Sequence, residues 1–408
     1  MIASLLVALV ALLAAAKLGG ALAERLGQPA VLGELLAGIA LGALPLAGIS
    51  GLAPVAHDTV VEALADLGVI LLLFEVGLST RLADLVKVGA SAFLVAAIGV
   101  VVPMALGYAV TAWLLPGAHP YVPLFLGATL CATSVGITAR VLRDMGRIRT
   151  AEGQIILGAA VIDDVMGLLV LAVMVGLVGG GGAGTGATLA AVSAKAVGFI
   201  VGALVLGRWL APRAFRLASR LRGRGVVFTL ALVVCFGLSW VADRVGLAPI
   251  VGAFAAGLVL EGVPFGDILP AGDRIESLLM PVSTLLVPLF FVRMGLQVDL
   301  AQLAGGSVLL ALALTAVAIL GKQACALAVV TRGADRLTVG LGMIPRGEVG
   351  LIFAGMGLTL RVDGQPVLGP GEFAAVVAMV MLTTVLTPPL LKWRLGRARP
   401  PAAVPDAA

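Results

Sequence analysis

The sequence predicts an all-α polytopic membrane protein with thirteen transmembrane helices, built as inverted repeats with two crossed broken helices. Three observations carry this reading. Of 408 residues, 61% are hydrophobic and 12% charged, whereas a soluble domain is about 45–50% apolar and about 25% charged. The apolar residues come in runs of about twenty, the length a helix needs to cross roughly 30 Å of hydrocarbon. Two of those runs break at mid-depth on polar sequence rich in Gly and Pro. A mean hydropathy of +1.15 excludes a water-soluble core-and-shell protein. The short alternating segments of a transmembrane barrel are absent from the sequence.

The spans follow in order. Residues 2–22 open apolar, without a basic leader or cleavage signature, and read as a retained first span. Next come 28–47, 58–79 and 88–115, bounded by short polar turns. Span 120–143 begins behind His119–Pro120 and carries the first break, and 151–178 carries a carboxylate pair. A Gly-rich turn, 179–186, leads to 188–210, 225–244 and a short ninth span, 248–262. The last four are 275–298, 304–330, 336–359 with the second break, and 371–391. The Pro/Ala-rich tail, 400–408, is expected to be disordered and cytoplasmic.

An odd number of spans puts the termini on opposite sides. Of 27 Lys and Arg, 21 fall in the odd-numbered loops, their borders and the C-terminal end, and 2 on the even side. That asymmetry predicts the N-terminus outside and the C-terminus inside, in the inner (plasma) membrane. Topology therefore accounts for the +5 net charge, and no nucleic-acid partner is needed. The cluster Arg213–Arg224 is also able to meet anionic lipid headgroups. Cys131, Cys235 and Cys325 sit in apolar runs and read as buried small residues. His57 and His119 lie in loops. An intramembrane hydrolase, which needs a nucleophile–base pair or metal ligands, is thereby disfavoured, and no resident cofactor is expected.

Ionisable groups inside a span cost several kcal/mol on insertion scales, so each is a functional candidate. Asp163 and Asp164 stand in the middle of LGAAVIDDVMGLLV. Neighbours on a helix point about 100° apart, so the two can face different partners. Such a carboxylate can hold a proton or a metal ion, and the two then compete. Lys322, in ILGKQACAL, needs a carboxylate, and either aspartate is a candidate. Arg293, in PLFFVRMGL, stays charged and is expected in a structural ion pair with Glu75 or Glu348.

Backbone that leaves the helix at membrane depth survives only where it is buried in protein or lines a cavity. The fifth span has Ala132-Thr133-Ser134-Val135-Gly136, and the twelfth has Pro345-Arg346-Gly347-Glu348. They lie seven spans apart, an odd number, so the repeats are inverted. Interrupted spans in corresponding positions of two halves point to a transporter's binding site. Arg346 is a cation able to compensate an exposed carbonyl end there.

The ordered motifs GELLAGIALG, LLLFEVGLST, ATSVGITARVLRDMG, AAVIDDVMGLL, PLFFVRMGLQVD and MIPRGEVGLI, with the Lys322 span, run from about residue 28 to 391. As a set they resemble the second monovalent cation:proton antiporter family, which includes NapA-type bacterial Na+/H+ antiporters and the membrane part of glutathione-gated K+ efflux systems. The resemblance implies that Asp164 binds the transported Na+ or Li+ and that Asp163, the second candidate metal contact, pairs with Lys322. It puts Thr133, with Ser134, in the unwound segment beside them. It also implies a homodimer and an elevator-like motion. A dimerisation part at roughly 1–80 and 188–262 would work against a core at roughly 81–187 and 263–393, all within one transmembrane unit, 1–399. The expected function is Na+/H+ exchange. K+/H+ exchange is the alternative, and sodium-coupled organic-anion symport a more distant one.

Overall fold

The computed structural model describes residues 2–47, 58–178, 185–218, 225–263, 275–296, 308–362 and 364–397. The Gly-rich turn (in large part) and the 400–408 tail lie outside them. The chain begins with α1 (Ile2–Arg25), α2 (Ala30–Ala43), α3 (Thr59–Leu78), a six-residue α4 (Leu82–Lys87) and α5 (Gly89–Leu114). The fifth span is two helices, α6 (Tyr121–Thr129) and α7 (Val135–Asp144). Then follow α8 (Ala151–Val178), α9 (Thr185–Ala218), α10 (Val226–Arg244), α11 (Pro249–Glu261), α12 (Ile275–Leu296) and α13 (Val308–Ala324). The twelfth span is again split, into α14 (Arg336–Gly342) and α15 (Glu348–Thr359), before the last helix, α16 (Pro370–Arg397).

Seven helices of the described residues are long and apolar enough to cross a membrane unaided. With the shorter and split helices the arrangement is compatible with thirteen crossings. The outer faces are apolar and open: Leu18, Trp113 and Leu327 are each more than 70% exposed. In water such a surface would be an aggregation liability, but in hydrocarbon it costs nothing. The described residues depart from an all-helical fold once. Arg361–Val362 pairs antiparallel with Gln365–Pro366, in a two-stranded ribbon turned by Gly364 at φ 80°.

Packing sorts the helices. α3 lies on α11 and α12, α2 on α1 and α12, and α10 on α11. On the other side α5 packs against α6, α8 and α13, and α16 against α13, α14 and α15. Helix α12, expected in the core part, therefore sides with α1, α2 and α3. In hydrocarbon, helices associate through close backbone approach at small residues. A Cβ built on Gly257 of α11 would lie 2.6 Å from the Gly77 Cα of α3, and one on Gly38 of α2 would lie 2.9 Å from the Gly295 Cα of α12. Gly257→Ala is thus expected to force α3 and α11 apart and to cost about 1–3 kcal/mol. Thermal unfolding in detergent micelles reads this; a melting midpoint equal to the parent's would contradict the contact.

At one end of the bundle, just before α14, Asp335 ties three helices together. Arg394 of α16 reaches it with two hydrogen bonds, at 2.7 and 2.8 Å. The Thr338 hydroxyl donates to the same carboxylate at 2.5 Å, and the Asp335 N–H donates to Glu152 of α8 at 2.8 Å. The Arg394 bonds, helped by Thr338, hold the Asp335 carboxyl below the usual carboxylate range against a smaller opposing effect of burial. A depressed folded pKa contributes stability above the unfolded value, about 3.9, and that stability is lost as pH falls through the folded value. Arg394→Gln is therefore expected to lower stability by about 0.2–1 kcal/mol at neutral pH. The deficit should shrink as pH drops below about 4. A deficit independent of pH would show that the charge pair is not its source.

Candidate functional site

Both breaks form where the sequence predicts. In the first, α6 ends at Thr129 and Ser134 stands in extended backbone (φ −76°, ψ 105°) before α7. In the second, α14 ends at Gly342 and Gly347 is extended before α15. Pro345 has no N–H to lose by leaving the helix. The two unwound segments satisfy each other. The Ser134 N–H donates to the Pro345 carbonyl at 2.7 Å. The Thr138 hydroxyl donates to the Gly342 carbonyl at 2.6 Å, and Thr133 to that of Met343 at 3.4 Å. A Cβ at Gly347 would meet the Ser134 side chain at 2.8 Å, so the crossing requires glycine there.

The first break leaves carbonyls pointing inward at the negative end of the α6 dipole. Two buried cations meet them. Arg346 Nη1 donates to the carbonyls of Ala132 and Cys131 at 2.9 and 3.3 Å, and Lys322 Nζ donates to that of Cys131 at 2.7 Å. Lys322 also pairs with Asp163 at 3.2 Å, and both side chains are 0% exposed. The sequence left either aspartate open to this lysine; the pair forms with Asp163. Asp164, 5% exposed, turns elsewhere. It borders a small space with Leu73 of α3 and Ile250, Val251 and Phe254 of α11. Ile250 also lines a cavity of about 450 Å³ that reaches Gly347 in the second break and holds Asp66, Asp243 and Arg293. Thr133 and Ser134 are buried at the crossing. The α8 pair thus has one carboxylate neutralised by lysine and one aimed at the boundary between the two helix groups.

One expected partner of Arg293, Glu75, is corrected. Its guanidinium lies 2.6 Å from Glu62 of α3, near the same end of the bundle, and not on Glu75. The Glu348 side chain lies outside the described residues. Glu75 is one turn from the opposite end of α3. It accepts from Ser283 of α12 at 2.5 Å and pairs with Arg143 of α7. Beside it, Arg140 lies 2.8 Å from Asp144 and 3.6 Å from Glu34 of α2. Sequence reasoning missed Glu34, Arg140, Arg143 and Glu62 because they sit near span ends, where charge looks ordinary. The signal was depth: α3 and α12 run antiparallel, which sets residue 62 beside 293 and 75 beside 283.

Crossed broken helices over a buried Lys–Asp pair, in an apolar helical bundle, define an integral membrane cation antiporter. Residues 8–395 match the family model described as sodium/hydrogen exchanger, transmembrane, and the chain belongs to that family. It is 36% identical to the high-affinity Na+/H+ antiporter NhaS3 of Synechocystis sp., over 96% of this chain and 90% of that one. It is 35% identical to the Na+/H+-K+ antiporter GerN of Bacillus cereus, over 94% and 95%. The sodium proton antiporter MjNhaP1 of Methanocaldococcus jannaschii shares the fold, with a TM-score of 0.67 at 20% identity, over 96% of this chain and 97% of that one. The family resemblance drawn from the motifs is borne out.

Proposed function

We propose that this protein exchanges Na+ or Li+ for H+ across the inner membrane, the cation and protons competing for Asp164 and Asp163. The single observation that carries the reading is the split of the α8 pair: Asp163 is held by Lys322 in full burial, while Asp164 faces the boundary with α3 and α11. A cation at Asp164 would take further oxygens from Thr133, Ser134 and the carbonyls of the breaks. Its charge loosens the Lys322–Asp163 pair, and re-forming that pair helps expel it. Only loaded forms cross, which couples the two flows.

The chain works as a homodimer among membrane lipids, N-terminus outside and C-terminus inside. The helices packed around α1–α3 and α10–α12 form the dimerising part, and α5–α8 with α13–α16 form the part that moves. The names of the relatives and the buried site support this reading. Exchange of K+ is the second reading, favoured by the GerN relative, a Na+/H+-K+ antiporter by name.

The test is a cation screen in proteoliposomes with a preset pH difference. Na+ and Li+ should collapse it saturably. Collapse by K+ alone would select the second reading, and no response to any of the three would refute both.

A further inference from the structure

Deeper inside the site, two adjacent threonines of the last helix hold the second break from behind. In an apolar helix a threonine ordinarily donates back to a carbonyl of its own preceding turn. Thr383 does so, to Met379 and Val380 at 2.9 Å; Thr387 does so to Thr383 at 2.7 Å, and Thr315 of α13 to Ala311 at 2.7 Å. Thr384 has one proton to give, and it goes outside its helix, to the Arg346 carbonyl at 2.8 Å. The Thr383 oxygen, in turn, accepts from the Arg346 N–H at 3.3 Å. Thr383, Thr384 and Arg346 are all 0% exposed. The pair therefore satisfies both main-chain groups of a residue that has no helix of its own, at a depth where no water can do it.

That peptide matters because of what its side chain touches. The Arg346 guanidinium donates to Ala132 and Cys131, and Cys131 is shared with Lys322, which holds Asp163. On the other side the Pro345 carbonyl, next to Arg346, takes the Ser134 N–H. A continuous line of hydrogen bonds thus runs from Thr384 through Arg346 to both breaks and, by way of the shared Cys131 carbonyl and Lys322, to Asp163.

The geometry points to Thr383 and Thr384 as positioning residues that set the shape of the cation site, and so its affinity and its choice among alkali ions. This rests on the exchange reading above. Thr384→Val keeps the side chain's volume but leaves the Arg346 carbonyl unpaired, free to swing with the guanidinium. The expected result is a rise of about tenfold in KM for Na+, a loss of buried hydrogen bonding of the ordinary size. Maximal rate should change less, and Na+ and K+ should become harder to tell apart. Thr384→Ser should restore the parent values. Thr315→Val, which also deletes a buried hydroxyl but one bonded only within its own helix, should leave KM unchanged.

A second readout does not require transport. Bound cation raises the melting temperature of the purified protein with its own half-saturation concentration. For Na+, Li+ and K+ in turn, that concentration should move to higher values in Thr384→Val and return in Thr384→Ser. If Thr384→Val cannot be purified folded, Thr384→Cys, a weaker donor of similar size, should give an intermediate shift. A melting temperature lowered equally in the Thr384 and Thr315 variants, with half-saturation and KM unmoved, would overturn the inference. So would the absence of a stabilising cation in the parent. A parent that is stabilised by cation but moves no protons would refute the exchange function alone, and the shift in half-saturation would still decide the role of the threonines.

Discussion

Asp164→Asn is expected to reduce cation-driven proton movement to the rate of empty liposomes. The substitution keeps size and hydrogen-bonding capacity, so the helix and its packing should persist. What it removes is charge. An amide neither releases a proton near neutral pH nor neutralises an alkali ion, and a cation stripped of water at 5% exposure has nothing else of full negative charge facing it on α8. Asp163 is expected not to replace it, because with no cation drawn to Asp164 nothing loosens Asp163 from Lys322. The measurement is the pH change inside proteoliposomes on adding Na+ or Li+, with the variant shown by size-exclusion chromatography to be folded. A native rate would sink the assignment of Asp164.

Lys322→Met should have the largest effect on stability. Deleting one partner of a buried ion pair leaves the other charge unpaired and costs about 3–5 kcal/mol. The Cys131 carbonyl also loses the shorter of its two donors, Nζ at 2.7 Å, and keeps Arg346 Nη1 at 3.3 Å. The double variant Asp163→Asn/Lys322→Met should recover much of the loss, because neutral groups replace both charges. Thermal unfolding in micelles compares the three proteins. If the single variant melts with the parent, the pair contributes no stability and Arg346, whose Nε and Nη2 have no partner among the described residues, already compensates Asp163. Charge displacement on a solid-supported membrane should also fall in the single variant, as the lysine no longer moves between partners.

The breaks, the carboxylate pair and the lysine were legible in the sequence because each violates a strong rule: hydrocarbon tolerates neither bare backbone nor lone charge. Thr133 and Ser134 were legible as part of the broken stretch, and both are buried where the two breaks cross. The partner of Arg293 was not. Pairing depends on which faces of two antiparallel helices meet, and α3 offers Glu62, Asp66 and Glu75 at different depths. The Thr383–Thr384 pair was silent for another reason. Threonine costs little in a membrane helix because it can bond its own backbone, so its presence breaks no rule. Only the position of the Arg346 carbonyl reveals that one of the two hydroxyls is committed elsewhere. The assignment of α12 to one helix group likewise depends on contacts between glycines far apart in the chain.

Those glycine contacts have a mechanical meaning. Where Gly77 lies on Gly257 and Gly38 on Gly295, no layer of flexible side chains separates the main chains. Such a junction has no lubricant: any sliding drives carbonyl into carbon. Helices α2, α3, α11 and α12 therefore form a stiff plate that resists shear. The small space beside α8 is different in kind: Leu73, Val161, Ile250 and Phe254 line it with aliphatic and aromatic side chains, and among the described residues no glycine contact of that closeness is found there. Asp164 borders that space, so the carboxylate proposed to take the cation lies outside the glycine-locked plate.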